Sequence, residues 1–68
     1  MNIEEAQRMH REGFIYGIAY SISYLYQNYQ YEIAKNLLRD SELDFDDFKN
    51  ANVSTFDIEN IKEMLNRN

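Results

Sequence analysis

Five acidic side chains, Asp40, Glu42, Asp44, Asp46 and Asp47, crowd into eight positions. Carboxylates at that density are the raw material of a calcium loop, so that chemistry is tested first. A loop starting at Asp40 needs glycine at its sixth position, for the sharp turn, and a bidentate glutamate at its twelfth. Phe45 and Ala51 stand there, and the calcium reading fails. His10 is the one histidine and cysteine is absent, which removes thiolate zinc sites, histidine pairs and a thiol nucleophile. Glycine-rich phosphate loops and nucleophile elbows are missing as well. Paired carboxylates without a cleft that excludes water have no catalytic meaning. The expectation is a protein with no catalytic, cofactor-binding or metal residues, and not an enzyme.

The same acids fit a structural role. In Leu43-Asp44-Phe45-Asp46-Asp47-Phe48, Asp44 suits a helix N-cap, Asp47 its capping-box partner, and Leu43 a staple against Phe48. Val53-Ser54-Thr55-Phe56-Asp57-Ile58 repeats the arrangement with Ser54, Asp57, and Val53 against Ile58. Two short helices are predicted, about 45–51 and about 55–66, the second burying Phe56 or Ile58, Ile61 and Leu65. Acids in both first turns are favoured by the helix dipole.

These elements belong to a chain of 68 residues, short enough that its core alone is marginal. With disulfides and metals gone, oligomerisation is the remaining aid. Seven basic against twelve acidic residues leave a net charge of −5, which argues against a phosphate-binding surface and suits a basic partner. The start Met1-Asn2-Ile3-Glu4-Glu5 is acidic where a secretory signal is basic, so a cytoplasmic location is expected. Gly13 to Tyr31 is 19 residues without a charge, yet Ser21, Ser23, Gln27, Asn28, Gln30 and six tyrosines are too polar for hydrocarbon. No membrane partner is expected. Proline is absent and no linker composition appears, so residues 1–68 read as a single small helical domain.

The middle of the chain carries two periods. Ile15, Ile18, Ile22, Leu25 and Tyr29 recur at spacings of three and four, continued by Ile33 and Leu37, which is the seam of a packed helix. Phe14, Tyr16, Ile18, Tyr20, Ile22, Tyr24 and Tyr26 also alternate as a strand would. No second strand-like segment exists to pair with it, and both flanks read as helix. Helix is taken for residues 14–26, and a strand paired across a dimer axis is the competing case. A helix from Ile3 to Leu38 would be ~54 Å long, more than two short helices can cover. The fold class is therefore all-α: a long N-terminal helix followed by two short helices, assembled as a homodimer. Tyrosine is a common interface anchor, and the expected interface residues are Ile15, Ile18, Tyr20, Ile22, Tyr24, Leu25 and Tyr29. Gly13, Gly17 and Ser21, at four-residue spacing, would let two backbones approach closely or would mark a local kink.

From residue 33 the chain reads Ile33-Ala34-Lys35-Asn36-Leu37-Leu38-Arg39, then Leu43-Asp44-Phe45-Asp46-Asp47-Phe48, Asn52-Val53-Ser54 and Ile58-Glu59-Asn60-Ile61. This resembles the C-terminal helical tail of the Rpn-type PD-(D/E)XK nuclease and transposase family. Glu12-Gly13 and Gly17-Ile18 are similar to the Glu-Gly repeats before such tails. Asn52-Val53 stands where the family has Gly-Leu, and the tyrosine-rich stretch replaces a charged repeat. The family's catalytic Asp and Glu-x-Lys have no counterpart here. The resemblance implies a free-standing tail that self-associates and restrains a cognate nuclease.

A helix-turn-helix is the other layout that fits residues 45–66. Its recognition helix would carry Asp57, Glu59 and Glu63 against Lys62 and Arg67, where phosphate neutralisation needs clustered Lys or Arg. Direct nucleic-acid binding is not expected. Two functions remain. One is a self-associating helical module that regulates, by inhibition, a larger nucleic-acid enzyme such as a nuclease. The alternative is a stand-alone acidic inhibitor from a phage or mobile element, of the anti-CRISPR or other anti-defence type, presenting carboxylates where phosphates would lie.

Overall fold

The computed structural model describes residues 2–67 as four helices, α1 (Ile3–Gln27), α2 (Tyr31–Ser41), α3 (Phe45–Asn50) and α4 (Thr55–Asn66). The protein is all-helical with a long N-terminal helix, and no strand forms among the described residues. α1 is about 37 Å long at helical rise and nearly spans the 42 Å long axis of the molecule. α2 and α4 pack along its C-terminal half, and α3 braces α1 against α4.

The single helix expected from Ile3 to Leu38 is corrected to two helices. The chain stops at Asn28, and Tyr29 enters the left-handed region at φ 63°. Gln30 N–H then donates to the Leu25 carbonyl at 2.9 Å, and Tyr29 N–H to that of Tyr26 at 3.0 Å, the double bond of a Schellman turn. A left-handed tyrosine costs about 1–2 kcal/mol. Folding α2 back sets Ala34, Leu37 and Leu38 onto the core, and burying one leucine contributes about 1.5–3 kcal/mol. Tertiary burial wins over local strain. α3 ends the same way: Asn52 takes φ 59°, and Val53 N–H reaches back to the Phe48 carbonyl at 3.2 Å. α2 ends on Glu42 at φ 61°, and the Ser41 hydroxyl bridges the gap, donating to Leu38 O at 2.7 Å and accepting from Leu43 N–H at 3.2 Å.

The two predicted helix starts are present. Asp44 and Asp47 form a reciprocal capping box at 3.0 and 2.9 Å. At α4 the cap runs one way, Asp57 N–H donating to Ser54 Oγ at 3.2 Å, with no return bond from the Ser54 N–H to the Asp57 carboxylate. The staple residues Leu43, Phe48 and Val53 are buried and Ile58 packs against them. Of the expected stripe of α4, Ile61 is buried and Ile58, the alternative to Phe56, is half-buried; the correction is at Leu65, which faces solvent as Phe56 does while Met64 and Asn60 are buried in its place.

Candidate interaction face

The core begins at Ile15 and runs through Ala19, Ile22, Ala34, Phe48, Ile61 and Met64. This divides the seven residues expected at an interface. Ile15 and Ile22 are buried in the chain's own core, and Ile18 and Leu25 pack against it. They share that core with Ala34 of α2, Phe48 of α3 and Ile61 and Met64 of α4, α2 being the element counted in the sequence as a continuation of α1. Tyr20, Tyr24 and Tyr29 are exposed, at 66%, 59% and 78%. The seam is thus filled from within, and the unpartnered surface is the opposite side of α1.

That side has an unusual composition. At about 100° per residue, Ala6, Met9, His10, Gly13, Phe14, Gly17, Tyr20, Ser21 and Tyr24 fall on the face turned away from Ile15 and Ile22. No Asp, Glu, Lys or Arg lies on it. Of the five such residues of α1, Glu4, Arg8, Arg11 and Glu12 sit on the core-facing side, one to three turns before the core begins, and Glu5 stands at its flank, opposite the flank that Phe14 occupies. A surface helix normally puts charge outward and apolar residues inward; α1 reverses this over its N-terminal half. Met9, Phe14, Tyr20 and Tyr24 are each at least half exposed, and Phe56 of α4 stands beside the two tyrosines.

Polar details fix the edges of this face. Ser21 Oγ donates back to Gly17 O at 2.8 Å, so its hydroxyl is satisfied along the helix. Tyr16 donates to the Ala51 carbonyl at 2.6 Å, tying α1 to the end of α3. At the far end Arg67 lies over the Tyr31 ring at 4.5 Å and that of Tyr26 at 5.6 Å. Its Nε donates to the Tyr26 hydroxyl at 3.2 Å. That hydrogen bond, and next the attraction of the two tyrosines, hold the Arg67 guanidinium above its ordinary pKa. Tyr26 donates in turn to Glu63 at 3.2 Å. Tyr26 and Tyr31 are therefore committed to the chain's own fold.

The acidic run of 40–47 is largely consumed locally. Asp44 and Asp47 cap α3, Asp47 also meets Arg11 at 3.4 Å, and Asp40 meets Arg39 at 3.3 Å. Among the described residues no three His, Cys, Asp or Glu side chains gather as metal ligands, and no helix is long and apolar enough to cross a membrane. An open cleft of about 320 Å³ between α1 and α3 holds Arg8, Arg11, Glu12 and Asp47, two cations against two carboxylates with no nucleophile beside a base. Met9, Phe14 and Phe56 were missed as surface residues by the sequence reading. For Met9 and Phe14 the signal was present, since the charges of α1 leave the side of Phe14, Tyr20 and Tyr24 bare; Phe56, on α4, had no such signal. Comparison with known protein families, curated proteins and solved structures found no match.

Proposed function

We propose that this protein works by contact rather than by catalysis, as a self-associating helical module that restrains a larger nucleic-acid enzyme such as a nuclease. The observation that carries the reading is the charge-free aromatic outer face of α1. A solvated helix has no use for Phe14, Tyr20 and Tyr24 on one bare stripe, and tyrosine supplies large rigid contact area at low entropy cost. The class of target is supported by the likeness of residues 33–61 to the nuclease-family tail and by the net charge of −5, which draws in a basic partner and weakens with salt. The test is capture from the native host with tagged wild type and with a Tyr20→Ala, Tyr24→Ala double variant. A nuclease recovered by wild type alone supports the reading. Equal recovery by both, or nucleic-acid hydrolysis by the purified protein, overturns it.

A further inference from the structure

The inference rests on the protein-binding reading above and names the partner chemistry that one part of that surface takes. Where α1 meets the start of α4, a hollow of about 310 Å³ is lined by Tyr20, Tyr24 and Gln27 on one side and by Ser54, Phe56 and Asp57 on the other. Its three rings are each more than half exposed, so folding leaves them uncovered. Asp57 is the one Asp, Glu, Lys or Arg in the lining. Its backbone N–H is spent on Ser54 Oγ, but its carboxylate accepts no hydrogen bond and meets no cation among the described residues. The neighbouring hollows lack this combination. The cleft between α1 and α3 sets Arg8 and Arg11 against its two carboxylates, and the hollow of Ala6, Met9, His10, Gly13 and Phe14 has no Asp, Glu, Lys or Arg in its lining. Elsewhere the fold fills a comparable place with its own residue: Arg67 lies 4.5 Å from the centre of the Tyr31 ring and 5.6 Å from that of Tyr26, its Nε donating to the Tyr26 hydroxyl.

We infer that the hollow of Tyr20, Tyr24, Phe56 and Asp57 receives an arginine side chain from a basic segment of the partner protein, its guanidinium lying against the rings and donating to the Asp57 carboxylate. Charge selects a cation. The start of α4 contributes about half a positive charge, less than the full negative charge of Asp57, and the net charge of −5 adds attraction at longer range. The rings select the same sign, because a cation is drawn to the electron-rich face of an aromatic side chain. Arginine is selected over lysine by shape. A planar guanidinium stacks on a ring and gives a carboxylate two parallel N–H groups, whereas an ammonium is a compact and strongly hydrated charge. Gln27 supplies a further carbonyl acceptor at the edge of the hollow for the remaining N–H groups.

Nuclear magnetic resonance titration of the full chain with a short peptide alternating glycine and arginine tests the site. Chemical-shift changes should centre on Tyr20, Tyr24, Gln27, Phe56 and Asp57. Asp57→Asn keeps the backbone bond to Ser54 and should raise the dissociation constant ~10-fold, and Phe56→Ala should raise it ~3-fold. Glu59→Gln, the same change of charge on the exposed side of α4, should leave it within ~2-fold. The peptide with lysine for arginine should bind more weakly. Circular dichroism should show full helicity in every variant, since Phe56 and Asp57 lie outside the core. Equal weakening by Asp57→Asn and Glu59→Gln overturns the inference, as does equal affinity for the lysine peptide or a shift pattern spread over the whole acidic surface. Choline chloride giving the same shifts at lower concentration than the peptide overturns it in favour of a quaternary ammonium ligand. Shifts of the same residues on concentrating the protein alone overturn it in favour of a second copy. A host protein captured by wild type and by Asp57→Asn, but missed by the tyrosine double variant, overturns the arginine site and leaves the protein-binding face standing. Capture indifferent to the tyrosines and to Asp57 overturns both.

Discussion

The Asn60 side-chain amide donates to the Ser23 hydroxyl across 2.6 Å, joining α4 to α1 inside the core. They are the two polar residues among those buried in the described chain. Each depends on the other, since a buried donor left without an acceptor costs more than the bond itself contributes. Ser23→Ala is therefore expected to lower stability by about 1–3 kcal/mol, measured by urea unfolding. Adding Asn60→Leu should recover part of that loss, and a double variant no more stable than Ser23→Ala would show that the amide is satisfied elsewhere.

Ile22 is fully buried against α2 and α4. Ile22→Asp places an unpaired carboxylate there, at a cost of several kcal/mol, enough to unfold a small domain. Glu59→Ala, on the exposed side of α4, should stay within about 0.5 kcal/mol of wild type. Circular dichroism separates the two: helicity collapses in the first and is unchanged in the second.

Ser54→Ala removes the acceptor for Asp57 N–H and should cost about 1 kcal/mol, read as a lower melting temperature with self-association unaltered. An unchanged melting temperature would mean that the 3.2 Å bond contributes nothing.

Glu42 holds a left-handed turn at φ 61° with an exposed side chain. Glu42→Gly should stabilise the fold by about 0.5–1 kcal/mol, because glycine enters that region without the Cβ penalty. A loss of stability would show that the glutamate side chain has a partner in solution.

Gly17 lies inside α1, and a Cβ built on it would meet nothing within 4 Å. Gly17→Ala is therefore expected to raise stability by about 0.5–1 kcal/mol through helix propensity, read as a higher melting temperature. A lower melting temperature would show that something in solution lies against this position.

The starts of α3 and α4 could be read from the chain because cap chemistry is local: Asp44 with Asp47, and Ser54 with the N–H of Asp57, lie within one turn. The break at Tyr29 could not. Neither glycine nor proline marks it, and its compensation comes from Ala34, Leu37 and Leu38 meeting α1 after the chain has turned back. The same omission sent Ile15 and Ile22 to an interface when they belong to a core shared with α2, α3 and α4. Asn60 looks like a solvent residue in any helical register, and only the opposing Ser23 explains its burial. Tyr20 and Tyr24 were read as contact residues from residue type, and their four-residue spacing keeps both on one exposed edge of α1.

The overhang of α1 divides the helix into two regimes of backbone protection. From Ile15 onward its turns are clamped by long-range bonds, Tyr16 to Ala51, Ser23 to Asn60 and Tyr26 to Arg67. Its amides should be among the slowest in the chain to exchange hydrogen. Residues 3–10 carry almost no burial, and Arg11 to Asp47 is the first side-chain tie to the body. So short a helical stretch frays readily when nothing packs on it. Its amides should exchange orders of magnitude faster in the free protomer and slow sharply once Met9 and His10 are covered, so that the N-terminal turns of α1 act as an occupancy meter for the face they belong to.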